Sequence, residues 1–306
     1  MSTQTKQHLL VGAGLAVIAT IIWSGNFIVA RGVIRDIPPI ALAFYRWLTA
    51  SILMVPIAWT SFRQDWPLAR KEWKYFLLTA LTGVSLFNTF VYIAGHYSPA
   101  INMALIGTTS SPIMAIIMAR IFLKEALTWQ RILGLSLCVM GILYLLARGN
   151  WENLLALHFG KGDALILLGA LAFSIYTILV RRKPAAISPV SFLFIIFSLG
   201  TILLLPAYLL ETRSAAPIQW NGYLLGVILY LGLGASVISF LCWNAAIARL
   251  GAARTALFGN LIPVFSAVEA LWLLKEKITF MHILSGVLVM SGLLIANLPA
   301  RSRASG

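Results

Sequence analysis

Gly259-Asn260-Leu261-Ile262-Pro263 opens an apolar stretch that runs to Lys275-Glu276, and its reading decides the fold. The stretch is long enough to cross a bilayer. It carries an asparagine and a proline early, one carboxylate (Glu269) deep inside, and a charged stop. Thr108-Thr109-Ser110-Ser111-Pro112, running to Lys124-Glu125, repeats the plan. Pro112 and Pro263 stand 151 positions apart, and so do Glu125 and Glu276. Two copies of one helix-plus-stop, half a chain apart, point to a duplicated membrane protein.

The composition agrees. Of 306 residues, 60% are hydrophobic and only 10% charged, with a mean hydropathy of +0.91; a soluble domain carries about 25% charged residues. Several windows of eighteen or more residues hold almost no charge, which is the length needed to span hydrocarbon. They do not alternate polar with apolar residues as barrel strands do, so the spans are helices. Ten are expected, at about 9–30, 38–59, 73–95, 100–123, 128–147, 163–181, 189–210, 221–246, 252–274 and 279–298.

The net charge of +14 does not signal nucleic-acid binding, because the Lys and Arg residues sit in short breaks between apolar runs. There they act as orientation signals. With the N-terminus in the cytoplasm, 15 fall inside and 7 outside, and Arg46 remains within a span. Both termini are therefore expected in the cytoplasm, in a bacterial inner (plasma) membrane. Trp59, Trp66, Trp73, Trp129, Trp151, Trp220 and Trp272 fall near span ends, where an indole suits the headgroups. Cys138 and Cys242 lie inside apolar runs with neither metal-ligand nor disulfide spacing. The run from Leu9 is too long for a signal-peptide core and reads as the first span.

The two halves lie over one another. Trp23-Ser24 matches Phe173-Ser174, Arg31 Arg181, Pro39 Pro189 and Pro56 Pro206, each 150 apart. Gly83 matches Gly234, Pro112 Pro263, Glu125 Glu276 and Gly141 Gly292, each 151 apart. Residues 9–147 and 163–298 are thus two repeats. Five spans per repeat is odd, so the second enters the membrane upside down. That is an inverted repeat of the kind found in secondary transporters, with the solute site near the midplane between the halves.

These residues carry a family resemblance. Asn260-Leu261-Ile262-Pro263-Val264, Leu274-Lys275-Glu276, Gly286 and Gly292 resemble the C-terminal repeat of the EamA family, within the drug/metabolite transporter superfamily. Ile22-Trp23-Ser24-Gly25-Asn26-Phe27, Arg46, Pro112 and Glu125 fit the first repeat. The resemblance covers about residues 10 to 298. It implies an all-α membrane protein of ten helices in two inverted five-helix repeats, exporting amino acids or related small metabolites. One departure is chemical: Ile196 stands where the first half has Arg46.

Charge at the bilayer centre costs at least about 2.5–3.5 kcal/mol per group, so Arg46 and Glu269 stand out. Both fall in the outer half at similar depth. They either pair with each other, or bind the charged ends of a zwitterionic solute; an arginine held by backbone carbonyls is the structural alternative. Glu269 is the candidate proton carrier if transport is proton-coupled, whereas an ion pair with Arg46 would hold it ionised. Uncharged polar groups in mid-span complete the candidate substrate site: Asn26, Asn88, Thr109 and Asn260, with Trp23, Tyr92 and Tyr176. An amide in hydrocarbon needs a partner helix or a ligand. Pro112 and Pro263 each free a carbonyl four residues earlier and are candidate hinges. The repeated Lys-Glu-x-(Leu/Ile)-Thr at 124–128 and 275–279 reads as a hairpin turn, with Thr128 and Thr279 suited to helix N-caps.

The chain shows no nucleophile motif, no metal cluster and no phosphate loop. No enzyme activity and no cofactor are expected. The partners expected are a small-molecule substrate and membrane lipid, without nucleic acid, for a monomer or homodimer. A sugar-phosphate or nucleotide-sugar carrier would need more cations than Arg46, and an uncoupled channel-like facilitator stays open beside the moving carrier.

Overall fold

Two prolines start the pair of helices at the centre of the protein. In the computed structural model Pro38 and Ser188 are extended (φ −60°, ψ 148° and φ −65°, ψ 148°), and each is followed by a proline in the first helical turn. Proline is at home there, because the N–H it lacks would have no partner within the helix. The Ser188 hydroxyl also accepts from Ser191 N at 3.1 Å, capping that end.

The structure describes residues 3–33, 35–97, 100–125, 127–147, 150, 152–155, 160–262, 264–265, 268–269 and 280–298, and among these it holds helices and turns but no strand. The longer helices are α1 (Thr3–Gly32), α2 (Pro39–Lys71), α3 (Trp73–Ala94), α4 (Ala100–Phe122), α5 (Trp129–Leu146), α6 (Lys161–Arg181), α7 (Pro189–Ser214), α8 (Gly222–Leu250), α9 (Ala252–Phe258, continued by a 3-10 turn over Gly259–Leu261) and α10 (Phe280–Asn297), with a single helical turn at Glu152–Leu155 between α5 and α6. Stretches long and apolar enough to cross a membrane occur in six of them: α1, over Gln7–Asn26, and α2, α3, α6, α7 and α8. Shorter apolar stretches lie at Ser110–Phe122 and Ile283–Ala296. A membrane segment must satisfy its backbone internally, which is why apolar runs of this length fold as helices. The expected span at 252–274 is described over only part of its length. The second expected span, 38–59, belongs to a helix that continues to Lys71.

Packing joins the first half of the chain to the second. α2 lies along α7, α5 along α10, α4 along α6, and α1 along the later part of α8. Several residues 150 or 151 positions apart touch directly. The rings of Trp23 and Phe173 are 5.7 Å apart and those of Trp47 and Phe197 4.9 Å. Ser51 and Thr201 hydroxyls are 3.4 Å apart, and Cys138 Sγ donates to the Val289 carbonyl at 3.5 Å. Where lipid replaces water, helices associate through close contact of small residues rather than hydrophobic drive. Gly134 and Gly292 meet in this way: a Cβ at Gly292 would stand 2.7 Å from Cys138 Sγ, and one at Gly134 2.6 Å from Ala296 Cβ.

Carboxylates from one half cap helices of the other. Glu211 accepts from Ile40 N (3.0 Å) and Ala41 N (2.7 Å) at the start of α2. Asp65 accepts from Ser188 N at 2.9 Å, before α7. Glu125, in what reads from sequence as a plain turn, accepts from Ala252 N at 3.2 Å and lies 3.6 Å from Arg131 NH1. Gly251, at φ 86°, must be glycine to let the chain turn there; a Cβ would also stand 3.1 Å from Glu125 Oε1. These charges complement the positive ends of the helix dipoles.

α3 and α8 each loosen into a π-helical segment, Leu81–Leu86 and Tyr230–Ile238. Shifted by 151, the first falls within the second. Ser236 and Ser239 donate to the carbonyls of Leu231 and Gly234, five residues back, both at 2.9 Å. Gly83 and Gly234, matched in the repeat register, both lie where the helical winding changes.

Gly292→Val is expected to overpack the α5–α10 contact by about 1–3 kcal/mol. The melting temperature of purified protein in detergent should fall, while Gly14→Val, with nothing within 4 Å of its added Cβ, should leave it unchanged.

Candidate functional site

The π segment of α8 turns a backbone carbonyl inward, and the site is built on it. Winding with one extra residue per turn displaces carbonyls from the usual i→i+4 ladder. The Ala235 carbonyl accepts at 2.9 Å from both Trp23 Nε1 on α1 and Arg46 NH2 on α2.

Arg46 is 1% exposed. Its Nε donates to Ser236 Oγ at 2.7 Å. Its NH1 donates to Asn88 Oδ1 (2.8 Å), Tyr92 OH (2.9 Å) and Asn26 Oδ1 (3.2 Å). Its Cζ lies 4.9 Å from the centroid of the Trp47 ring. Every one of these partners is neutral. Among the described residues no carboxylate reaches the guanidinium, and the one ion pair is Arg131–Glu125 at the end of α4. Of the pairing and the carbonyl-held alternatives for Arg46, the second is the one present, widened by a ring of amide and hydroxyl oxygens.

Glu269 sits beside α1. Its Oε1 accepts from Ser24 Oγ at 2.6 Å, and its Oε2 is buried with no hydrogen-bond partner among the described residues. Gly25 makes the room: a Cβ there would stand 3.4 Å from Oε2 and 2.5 Å from the Tyr230 hydroxyl. That hydroxyl donates to the Ile22 carbonyl at 2.7 Å and lies within electrostatic reach of both Glu269 and Arg46. The two charges are thus not paired with each other, and the space beside Gly25 brings the Tyr230 hydroxyl and Glu269 near one another.

Asn26, Asn88, Tyr92 and Trp23 therefore gather on or beside Arg46, as one group. Tyr176 stands apart: it is fully buried and donates to Asn244 Oδ1 at 2.7 Å. It belongs to an aromatic block in which Trp23 meets Phe240 (5.6 Å) and Trp243 (5.0 Å), and Tyr176 meets Phe240 (5.6 Å). Asn260 is also separate; its Nδ2 donates to Leu257 O of its own helix at 3.0 Å. Pro112 is buried within α4, next to Ser111, whose carbonyl accepts from Ser174 Oγ at 3.1 Å. The Thr109 side chain and Pro263 lie outside the described residues.

Sequence reasoning missed Ser24, Tyr230, Ser236, Asn244 and the Ala235 carbonyl. Ser24 was within reach, as the polar neighbour of Trp23 in a pair repeated at 173–174. Nothing in a string of residues announces a backbone carbonyl. Besides Glu269 Oε2, several buried polar atoms find no hydrogen-bond partner among the described residues: Asn88 Nδ2, Trp243 Nε1, Asn244 Nδ2 and Asn260 Oδ1. Such atoms are costly unless a ligand or water meets them.

A family model described as the EamA-like transporter family matches residues 10–147 and again 160–298. The chain belongs to that family. It is a multi-pass integral membrane protein, with tandem family repeats covering nearly its whole length. An uncharacterized transporter of Archaeoglobus fulgidus is 28% identical over 94% of this chain and 96% of its own. A protein of Salmonella typhimurium named "Probable amino-acid metabolite efflux pump" is 26% identical, with 92% and 93% covered. A protein of the same name from Escherichia coli is 24% identical, again with 92% and 93% covered. A crystal structure 18% identical to this chain superposes with a TM-score of 0.75 over 95% of this chain and 96% of that one, a likeness of fold.

Asn88→Leu removes an acceptor from the buried guanidinium and is expected to destabilise the protein by about 1–3 kcal/mol. In an Arg46→Met background the same change should cost much less, because the charge it leaves unsatisfied is gone. Melting curves of the two single variants and the double variant check this.

Proposed function

We propose that this family member exports amino acids or closely related zwitterionic solutes by alternating access, at a site between two inverted five-helix repeats. One observation carries the reading: a buried guanidinium with neutral partners only, and a half-buried carboxylate with one bare oxygen, not joined to each other. A fixed positive group set apart from a fixed negative group suits a solute with a carboxylate at one end and an ammonium at the other. Arg46 takes the carboxylate, Glu269 the ammonium, and Asn26, Asn88 and Tyr92 hold the guanidinium's direction. The relatives named as amino-acid metabolite efflux pumps support the solute class.

The direct contacts between residues 150 or 151 apart support the inverted repeat, since matched positions meet where a two-fold axis passes. Ten helices follow, with both termini in the cytoplasm. In that orientation the Trp23–Phe173–Trp243–Tyr176 block lies on the cytoplasmic side of Arg46 and closes the path there. Pro112 and Pro263 serve as hinges, together with the paired π segments. Glu269 cannot hold an ammonium and a proton at once. A proton arriving from outside therefore displaces the solute, and the carrier is an antiporter. A sugar-phosphate carrier is disfavoured by a single buried guanidinium at the site.

Solute counterflow in proteoliposomes tests this. Wild-type protein should exchange labelled amino acids saturably. Arg46→Met and Glu269→Gln should each lower uptake at subsaturating solute by at least about tenfold, the equal of about 1.4 kcal/mol of binding. An imposed pH gradient should drive accumulation by the wild type and not by Glu269→Gln. Full accumulation by a folded Glu269→Gln protein would remove Glu269 from coupling.

A further inference from the structure

α2 is longer than a membrane is thick. Its 33 residues extend about 50 Å at about 1.5 Å per residue, against a hydrocarbon core of about 30 Å. Two contacts fix where the excess goes. Asp65 accepts from Ser188 N at the start of α7, and Tyr75, beyond the turn into α3, has its ring 6.4 Å from Phe192 in the first turn of α7. The Tyr75 hydroxyl donates to Leu179 O near the end of α6 at 2.8 Å. Residues 66–71 continue the helix past Asp65 by about 9 Å at about 1.5 Å per residue, and the chain rejoins the bundle at Tyr75. α3 begins its own apolar span at Trp73.

The exposed face of α2 changes character toward this end. Ile52 and Val55 are exposed upstream, as an acyl-chain contact would have them. Then come Trp59, Arg63, Trp66 and Arg70 at alternating spacings of four and three, which is one stripe on a helix. All four are exposed, Trp59 and Trp66 at 51% and 46%, and Trp73 (55%) and Lys74 extend the row, with Lys74 Nζ 5.7 Å from the Trp73 ring centroid. Lys71 is exposed beside them. Of the acids nearby, Asp65 is engaged with Ser188 N and the Lys183 charge, and Glu72 is exposed. The matching connection in the other half, residues 215–221, carries no Lys or Arg, and Arg213 alone precedes it.

We propose that the Trp59–Arg63–Trp66–Arg70–Lys74 row is a docking surface for anionic phospholipid headgroups of the adjoining leaflet. The indoles sit at the glycerol level and the cations meet lipid phosphates. A stripe of alternating indole and guanidinium fits a headgroup layer, which is apolar on one side and negatively charged on the other. The charge complementarity belongs to one half of a duplicated chain, so the two faces of the protein see different lipid surfaces.

Native mass spectrometry of the full chain, given equimolar phosphatidylglycerol and phosphatidylcholine, tests the surface without reference to transport. Wild-type protein should retain phosphatidylglycerol in preference. The triple variant R63Q/R70Q/K74Q should lose that preference by at least about fivefold, the effect of about one cation near an anionic surface. A charge-matched control, R35Q/R120Q/R213Q, at exposed cations elsewhere, should keep it, and melting curves of both variants confirm folding. Equal retention of the two lipids by wild type, or an unchanged preference in the triple variant, overturns the proposal. So does equal loss in the control, which would reduce the effect to net charge.

Discussion

A positive charge sealed among neutral oxygens is the constraint on which the rest of this structure depends. Arg46 is held by Ser236, Asn26, Asn88, Tyr92 and the Ala235 carbonyl. Burying it without a counter-charge is expensive, and each partner lowers that cost only if its helix stands in the right place. α1, α2, α3 and α8 are thereby tied to one atom group. The carbonyl lies in the stretch where α8 winds as a π-helix, so the local irregularity and the buried charge meet at one atom.

The asymmetry of the site follows from duplication. Shift Asn26, Arg46, Asn88 and Tyr92 by the repeat interval and they become Tyr176, Ile196, Ser239 and Trp243. The second set makes a packed aromatic block with one Tyr176–Asn244 hydrogen bond, where the first makes a polar ring around a charge. One backbone plan therefore yields a polar ring around a charge in one half and a packed aromatic block in the other.

Much of the fold was legible in the sequence because hydrocarbon leaves few choices. Runs without charge must be helices, and the Pro and Gly register at 150–151 announces the duplication before any coordinates. Pro39 and Pro189 mark helix starts that the structure places within a residue. What was not legible is what depends on backbone placement. The π segments have no spacing signature beyond Gly83 and Gly234. The Ala235 carbonyl has no side chain to notice. The cap at Glu125 joins residues 127 positions apart, and local sequence offers the turn as the simpler reading. At the candidate site, Arg46, Asn26, Asn88 and Tyr92 could be named from mid-span polarity alone. Trp23 and Tyr176 could be named too, but the same polarity could not separate a ring that faces a charge from one that packs on other rings.

The chain has nine acidic residues, and their placement shows how a membrane protein spends charge sparingly. Asp65, Glu125 and Glu211 each sit at the start of a helix from the other half, where backbone N–H groups and the helix dipole stabilise a carboxylate. These contacts fall at helix ends. They join the halves there, while further in the halves meet through aromatic rings, small residues and the Arg46 hydrogen bonds to α8. Glu269 departs from the pattern: it lies deep, caps no described helix and keeps one oxygen bare. Asp65, Glu125 and Glu211 each have a backbone N–H of another helix as partner, whereas Glu269 has one hydroxyl, Ser24, on one oxygen only.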